Sequence, residues 1–218
     1  MKFYSRTGAP LPKVVTDSAD KVGKDEVSRR EFVALACTFG ATTATAYGML
    51  GMAAPAHAEG HEQQGGTVRI QQEVRALKDP RTYDWSQIAN YSRGWLEYLV
   101  TWENDGSFVP QLLEGWEIND DATVYTLKVR PGVTWNDGTP FTANDVANNI
   151  ERWADKSVEG NSMAGRFATL IDPETEKAIE GSIEVVDDLT VKLNLPRADI
   201  TLIAGMADYP AAIVPMNF

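Results

Sequence analysis

Short runs of alternating hydrophobic and polar residues dominate the chain after residue 66. Residues 67–71 and 125–129 alternate as half-buried strands do, and residues 183–186 and 190–195 flank an Asp-Asp turn as a hairpin. The apolar run 211–214 predicts a further strand. Asn, Asp, Pro and Gly tolerate the backbone angles of tight turns, and they predict turns at 104–106, 120–121, 131–132 and 136–138.

Helical spacing of apolar residues appears between these strands. It predicts an amphipathic helix over residues 86–100, whose buried face includes Trp95 and Leu99. Residues 142–145, Thr-Ala-Asn-Asp, resemble a capping box with the threonine as N-cap, so a helix should begin there and end near Asp155. A polar loop at 156–165 and a short helix at 199–206 complete the pattern. Interleaved strands and helices favour a mixed α/β lobe.

The first 58 residues, called the leader below, differ from this pattern. Residues 28–33 read Ser-Arg-Arg-Glu-Phe-Val, and a mildly apolar run rich in Ala, Gly and Thr follows. The small residues Ala56 and Ala58 end it as an A-x-A site, so the leader is predicted to be an export signal that is cleaved after Ala58. The paired Arg29 and Arg30 indicate the twin-arginine type, which delivers folded proteins.

Other interpretations of the leader are less well supported. General secretion remains an alternative route, while a membrane anchor is disfavoured because the run contains several Gly and Thr residues. The polar, Pro-containing lead from Met1 to Val27 is predicted to be unstructured. Cys37 is interpreted as an inert leader cysteine, since too few apolar residues precede it for a lipoprotein acylation site.

Residues 59–218 are called the body below, and their net charge limits the classes of partner that they can bind. The chain has 20 basic and 31 acidic residues, and the leader holds 7 and 5 of these. The body therefore carries 13 basic and 26 acidic side chains, a formal charge of −13. Such a surface repels nucleic acid and anionic lipid, so neither is expected as a partner.

The body also lacks the residues on which most catalytic and metal sites depend. It has no cysteine, and its only histidine, His61, cannot by itself supply a triad or a zinc site. No phosphate-binding or dinucleotide-binding glycine motif occurs. The acidic pairs at 120–121 and 187–188 lie between strands, where turn formation is their expected role. We therefore expect no cofactor, no metal and no catalytic residue.

Several elements of the body, in this order and spacing, resemble one known family. They are Gly65-Gly66-Thr67-Val68-Arg69-Ile70, Asp79-Pro80, Leu96 to Val100, Pro110 to Trp116, Tyr125 to Val146, Asp187 to Val191, and Pro215. The longest contains the run Arg-Pro-Gly-Val-Thr-Trp-Asn-Asp-Gly at 130–138. Together they are similar to the family 5 extracellular solute-binding proteins of ABC importers, the peptide- and nickel-binding class.

The resemblance implies the α/β, type II-like, two-lobed fold of periplasmic binding proteins. Residues 59–218 would be the N-terminal part of lobe I, with lobe II absent from this chain. The implied function is to capture a small solute between two lobes in the periplasm and to deliver it to ABC permease subunits in the inner membrane. A peptide, a nickel chelate, an oligosaccharide or a similar solute fits this class, and the twin-arginine translocase would be the export partner.

The same resemblance implies which residues contact the solute. They lie at the end of the first strand, in the connection after it, and in the segment after the helix that contains Val146. The corresponding residues are Gln72, Glu73, Tyr83, Asp84, Trp85, Met163, Arg166 and Phe167. Arg166 would face an anionic group, although a solvated loop arginine is an open alternative, as is a packed loop tryptophan for Trp85.

Two other functions stay open from the sequence. An exported enzyme domain would suit the twin-arginine route, but the scarcity of Cys and His in the body argues against it. A ligand-sensing domain with the same fold and no transport role is the other alternative.

Overall fold

The computed structural model describes residues 3–24, 26–54, 67, 69–73 and 75–218. Its helices are α1 (Lys13–Val22), α2 (Arg29–Thr38), α3 (Thr43–Met49), α4 (Ser86–Ser92), α5 (Ala143–Trp153) and α6 (Leu202–Met206). Its strands are β1 (Val100–Trp102), β2 (Phe108–Pro110), β3 (Leu113–Ile118), β4 (Val124–Val129), β5 (Ile183–Asp187) and β6 (Thr190–Asn194). Short 3-10 turns occur at Pro80–Thr82 and Ala168–Leu170. Among the described residues, no helix has both the length and the apolar character needed to cross a membrane.

A four-stranded antiparallel sheet forms the centre of the body, in the order β3-β4-β6-β5. In β4, Tyr125, Leu127 and Val129 are buried, as their alternation predicted. Leu127 lies opposite Trp116 of β3 on one side and Val191 of β6 on the other. Burying a side chain of this size contributes roughly 1.5–3 kcal/mol to stability. Because β4 has a paired strand on each side, it is a central strand of the sheet. The predicted β5–β6 hairpin is confirmed.

Helix α5 packs on β5 and β6 of this sheet. Its inner face is formed by Val146, Ile150 and Trp153, which are all buried. The capping box predicted at its start is confirmed, because Thr142 is the N-cap and the Asp145 carboxylate accepts a hydrogen bond from the Thr142 N–H at 2.8 Å. The sequence therefore predicted both the start of this helix and its buried face.

Strands β1 and β2 form a separate hairpin, as the turn at 104–106 predicted. Gly106 adopts a φ of +90°, a conformation that glycine tolerates best. The Trp102 and Phe108 rings lie across the pair with 5.5 Å between their centroids. Just before β1, Tyr98 makes an antiparallel bridge with Ala212, which attaches the hairpin to the last described segment.

The described part of the leader folds into three helices; α1 and α3 pack on α2, and α2 packs on β2 of the body. Helix α1 corrects the prediction that Met1 to Val27 is unstructured. Its pattern is amphipathic: Val15 is fully buried, while Lys13 and Asp17 form an exposed ion pair one turn apart at 2.7 Å. Cys37 of α2 is also fully buried, in agreement with an inert role.

The helix predicted over residues 86–100 is too long. Helix α4 ends at Ser92, and both Trp95 and Leu96 donate their N–H groups to the Ser92 carbonyl in a turn that closes the helix. Gly94 disfavours further helix, and the bridge that follows gives the chain strand pairing instead. The prediction for Trp95 is therefore wrong, since this side chain is 58% exposed, whereas Leu99 is buried as predicted.

Three further predicted elements differ from the structure. Thr67 and residues 69–71 have irregular backbone, and Val68 lies outside the described residues. Helix α6 begins at Leu202 rather than at 199, because the Asp199 carboxylate accepts from the Thr201 N–H and holds a turn there. In the segment 211–214 only Ala212 pairs as a strand does; a side chain of α5, described below, binds the backbone of Val214 instead.

Candidate functional site

The connection that contains three of the predicted solute contacts is tied to the end of α5 by charged groups. Asp79 accepts a hydrogen bond from the backbone N–H of Arg81 at 3.1 Å, which starts the 3-10 turn. Its other carboxylate oxygen is 2.9 Å from Arg81 Nε and 2.7 Å from a terminal nitrogen of Arg152. All three side chains are largely buried. The two ion pairs made by Asp79 therefore fix the start of the connection to the end of α5.

The segment after α5 is attached to the same connection by side-chain hydrogen bonds to the backbone. Asn161 donates to the carbonyl oxygens of Trp153 at 3.2 Å and Asp155 at 2.7 Å, which folds the chain back over the end of α5. The Ser162 hydroxyl then reaches the carbonyl oxygens of Arg81 and Tyr83 at 3.1 and 2.9 Å. The structure therefore brings together two of the three segments predicted to contact the solute.

Arg166 connects these two segments to the turn that follows α6. Its guanidinium contacts the Asp208 carboxylate at 2.5 Å and donates to the Ser162 carbonyl. The central carbon of this guanidinium lies 5.9 Å from the centre of the Tyr209 ring. Close packing at Gly205 allows this approach, because a Cβ there would lie only 3.4 Å from the Arg166 Cβ. Arg166 is thus a held, partly exposed cation, not a freely solvated one.

Tyr83 and Trp85 form a small apolar cluster with Ile88, against which Tyr209 packs. The Trp85 indole N–H is buried and has no hydrogen-bond partner among the described residues. The Arg75 guanidinium lies over the Trp85 ring, 4.9 Å from its centre. A buried N–H without a hydrogen-bond partner destabilises the folded state, so this group requires an explanation.

Asp84 and Glu73 lie at the surface near this cluster. Asp84 is exposed and pairs with Lys78 at 2.9 Å, and this hydrogen bond lowers the pKa of the Asp84 carboxyl. Glu73 is exposed and accepts from Arg75 Nε at 3.1 Å, so it lies near Trp85 through the same arginine. Gln72 is half-buried.

Met163 and Phe167 are fully buried and belong to the main core. The Phe167 ring packs on that of Trp153, with 5.3 Å between the centroids. In this structure both side chains support the position of Arg166 between them and are not open to a solute. Their assignment as direct contacts stays a prediction.

Sequence reasoning missed four residues that shape this region, namely Arg75, Ser162, Asp208 and Tyr209. Asp208 lies 42 positions after Arg166, and no local pattern links the two. The only sequence signal was the position of Ser162 directly before Met163 in the predicted contact segment. Within the described residues, no group of three or more His, Cys, Asp or Glu side chains could hold a metal ion.

The predicted export residues are partly described. Arg29 and Arg30 begin α2 and are both exposed. Ser28 caps this helix, with the Glu31 N–H donating to its hydroxyl at 3.2 Å and its own N–H donating to the Glu31 carboxylate at 2.8 Å. Ala56 and Ala58 lie outside the described residues.

Comparison with known proteins identifies the body. The family model "Bacterial extracellular solute-binding proteins, family 5 Middle" matches residues 107–217. The chain is 33% identical over 133 residues to the oligopeptide-binding protein AmiA of Streptococcus pneumoniae serotype 4, covering 54% of this chain and 20% of AmiA. It is 31% identical over 134 residues to the periplasmic oligopeptide-binding protein OppA of Escherichia coli K12, covering 56% of this chain and 23% of OppA.

Solved structures agree with these sequence matches. The binding protein AgaA of A. tumefaciens R10, in complex with agropinic acid, superposes with a TM-score of 0.55 and 26% identity, over 64% of this chain and 26% of AgaA. The chain thus spans about a fifth to a quarter of the length of these relatives. The predicted fold class, a mixed α/β part of a periplasmic binding protein, is confirmed.

Proposed function

Because the chain belongs to family 5 of the bacterial extracellular solute-binding proteins, we propose that it captures a small solute for an ABC importer. Family membership is the observation that carries this proposal. The solute is peptide-like, and the partner that receives it is a permease in the inner membrane. The oligopeptide-binding relatives support this choice of solute.

The solute contact that the geometry supports best is at Arg166. Its guanidinium is held between the Ser162 carbonyl and the Asp208 carboxylate, beside the cluster of Tyr83 and Trp85. A planar guanidinium binds a carboxylate with two parallel hydrogen bonds. The carboxylate of a peptide-like solute would take the place of Asp208 at Arg166, beside the cluster that contains Trp85.

Replacing Arg166 with alanine tests this contact. We expect the dissociation constant for a bound tripeptide, measured by titration calorimetry, to rise by about 10-fold or more. Hydrogen bonds to a charged group contribute roughly 1.5–3 kcal/mol, which corresponds to that range. The matched control is Arg197→Ala, since Arg197 is exposed on the same lobe.

The melting temperature of each variant separates lost binding from lost folding, because Arg166 also pairs with Asp208. Equal binding by the wild-type protein and Arg166→Ala would contradict the contact. So would an equal loss in Arg197→Ala, because it would show a general effect of charge.

The proposal also includes export. The leader directs the folded chain to the twin-arginine translocase and is removed after Ala58, which places the body in the periplasm. The exposed, adjacent Arg29 and Arg30 at the start of a capped helix support this route. The alanines of the cleavage site are supported by the sequence alone.

Replacing Arg29 and Arg30 together by lysine should leave uncleaved precursor in the cytoplasm, since the change keeps the charge and removes only the guanidinium pair. Cell fractionation followed by mass analysis would show this. Replacing Lys21 and Lys24 by arginine, in the exposed end of α1 and the turn after it, serves as the control and should not alter export. Continued export of the double-lysine variant would contradict the twin-arginine route.

A further inference from the structure

The leader does not lie free of the body. Phe32, Val33, Ala36 and Cys37 of α2 are fully buried, and they share one hydrophobic cluster with residues of the body. Helix α2 contacts β2, and the Trp116 side chain of β3 bonds to its last residue. The surface formed by the β1–β2 hairpin and β3, which carries the buried residues Phe108, Leu113 and Trp116, is called the docking face below. A leader that merely trailed from the chain would leave its apolar side chains exposed.

A directional hydrogen bond fixes the leader on this face. The Trp116 indole N–H donates to the Thr38 carbonyl, at the end of α2, with a distance of 2.7 Å. Both groups are buried, so separating them would leave a donor and an acceptor unpaired unless water replaced the contact. This bond spans 78 positions of sequence, and it links the last residue of α2 to β3.

Two glycines of the docking face lie beside the leader, and one of them makes room for it. A Cβ at Gly106, in the turn of the β1–β2 hairpin, would lie 3.2 Å from Arg30 Cγ. A Cβ at Gly115 of β3 would lie 3.8 Å from Thr7 Cγ2 and meet nothing else within 4 Å. The close approach of Arg30 therefore depends on the glycine at 106. At Gly115 a Cβ would only reach van der Waals contact with Thr7, so a larger side chain there would press on the leader.

The export motif at the start of α2 has an exposed part and a buried part. Arg29 and Arg30 are exposed, whereas the adjoining Phe32 and Val33 are fully buried. The same helix cannot insert its apolar side into a membrane or a receptor while that side is packed on the body. Docking and use of the leader therefore exclude each other.

We propose that the leader of the uncleaved chain is an intramolecular partner of the docking face, and that it must leave this face before it can direct export. The proposal rests on the proposed export role of residues 1–58 only for its second part. Folding of the body would withdraw the apolar half of the motif, and the translocase would compete with Phe108, Leu113 and Trp116 for it.

Cys37 provides a direct measurement of docking, because it is the only cysteine in the chain and is fully buried. In the purified chain of residues 1–218, we expect a maleimide to label Cys37 at least 100-fold more slowly than in the same chain unfolded in denaturant. The control carries Cys37→Ala together with Ala44→Cys. Ala44 is exposed on α3, so its replacement should be labelled rapidly in both states.

Two variants of the docking face test whether the body supplies the protection. Gly115→Leu places a side chain against Thr7, and β3 accommodates it because Gly115 does not have a positive φ. We expect it to accelerate the labelling of Cys37 about 10-fold or more. Trp116→Phe removes the indole N–H together with part of the buried ring, and should accelerate labelling by about 2-fold or more, because a hydrogen bond and packing are both lost.

Rapid labelling of Cys37 in the native wild-type chain would overturn the proposal. Slow labelling that is unchanged in both Gly115→Leu and Trp116→Phe would also overturn it, since the leader helices alone would then protect the thiol. Circular dichroism of each variant confirms that the body is folded. The assay needs no translocase, so its failure and a failure of the export proposal are distinguishable.

Discussion

At the scale of single residues, Asp199 connects three parts of the body. Its carboxylate accepts hydrogen bonds from the Thr169 hydroxyl at 2.5 Å, the Thr201 N–H at 2.8 Å and the Thr201 hydroxyl at 2.6 Å. Its backbone carbonyl accepts from the Tyr125 hydroxyl of β4. One aspartate thus joins the second 3-10 turn, the start of α6 and the central strand.

These contacts make stability depend on pH. Burial raises the pKa of the Asp199 carboxyl, but the hydrogen bonds from Thr169 and Thr201 lower it by more. The pKa therefore lies below its ordinary value. A carboxyl with a lowered pKa in the folded state stabilises the protein above its unfolded pKa, about 3.9 for aspartate. That contribution is lost as the pH falls from there through the lower pKa of the folded state.

Asp199→Asn should therefore lower the free energy of unfolding at pH 7 by about 1 kcal/mol, and should flatten its decline below pH ~4. Denaturant unfolding over a pH series measures both effects. Asp121→Asn is the control, because Asp121 is exposed in a turn and accepts no hydrogen bond among the described residues. An acid decline as steep in Asp199→Asn as in the wild type would contradict this role.

At the scale of secondary structure elements, Asn149 of α5 takes the place of a neighbouring strand. Its side-chain amide donates to the Val214 carbonyl at 2.8 Å and accepts from the Val214 N–H at 3.1 Å. The amide also donates to the Asp145 carbonyl at 2.9 Å, within α5. Because Asn149 and Val214 are buried, the last described segment has its backbone paired without being a strand.

Asn149→Ala should destabilise the protein by about 2–4 kcal/mol, since it leaves a buried N–H and a buried carbonyl unpaired at Val214. Asn148→Ala is a matched control on the same helix. The Asn148 amide nitrogen is buried without a partner among the described residues, so its loss should not destabilise the protein. Equal effects of the two substitutions on denaturant unfolding would contradict the pairing.

Local patterns predicted the elements whose causes are local. The capping box at Thr142, the alternation in β4 and the turn at Gly106 each lie within a few residues, and each was confirmed. Trp95 and the segment 211–214 were mispredicted because long-range pairing decides their state: Tyr98 pairs with Ala212, and Asn149 pairs with Val214. A local periodicity contains no information on such partners.

The candidate site shows the same division. The resemblance pointed to the segments around Tyr83 and Arg166, and the structure brings them together through Ser162. Asp208, the partner of Arg166, could not be inferred, because it belongs to a turn after α6 that has no marked sequence pattern. Packing also decided the burial of Met163 and Phe167, which no side-chain type alone predicts.

At the scale of the whole molecule, the leader and the candidate site use different parts of the body. The contacts of the leader are to the β1–β2 hairpin and β3, through Phe108, Gly115 and Trp116. The site is formed by the connection at 79–85, the segment 161–167 and Asp208-Tyr209. No residue is shared between these two sets of contacts, so solute capture and release of the leader can be measured separately.

The central claim, capture of a peptide-like solute beside Arg166, is tested most directly by the indole N–H resonances of the six tryptophans in a nitrogen-15 NMR titration with a tripeptide. The Trp85 resonance should shift and saturate by millimolar peptide, because its ring belongs to the cluster against which Tyr209 packs, next to Arg166. The Trp116 resonance should stay in place, since its N–H is bonded to Thr38 under the leader. An unmoved Trp85 resonance, or equal shifts of both, would contradict the claim.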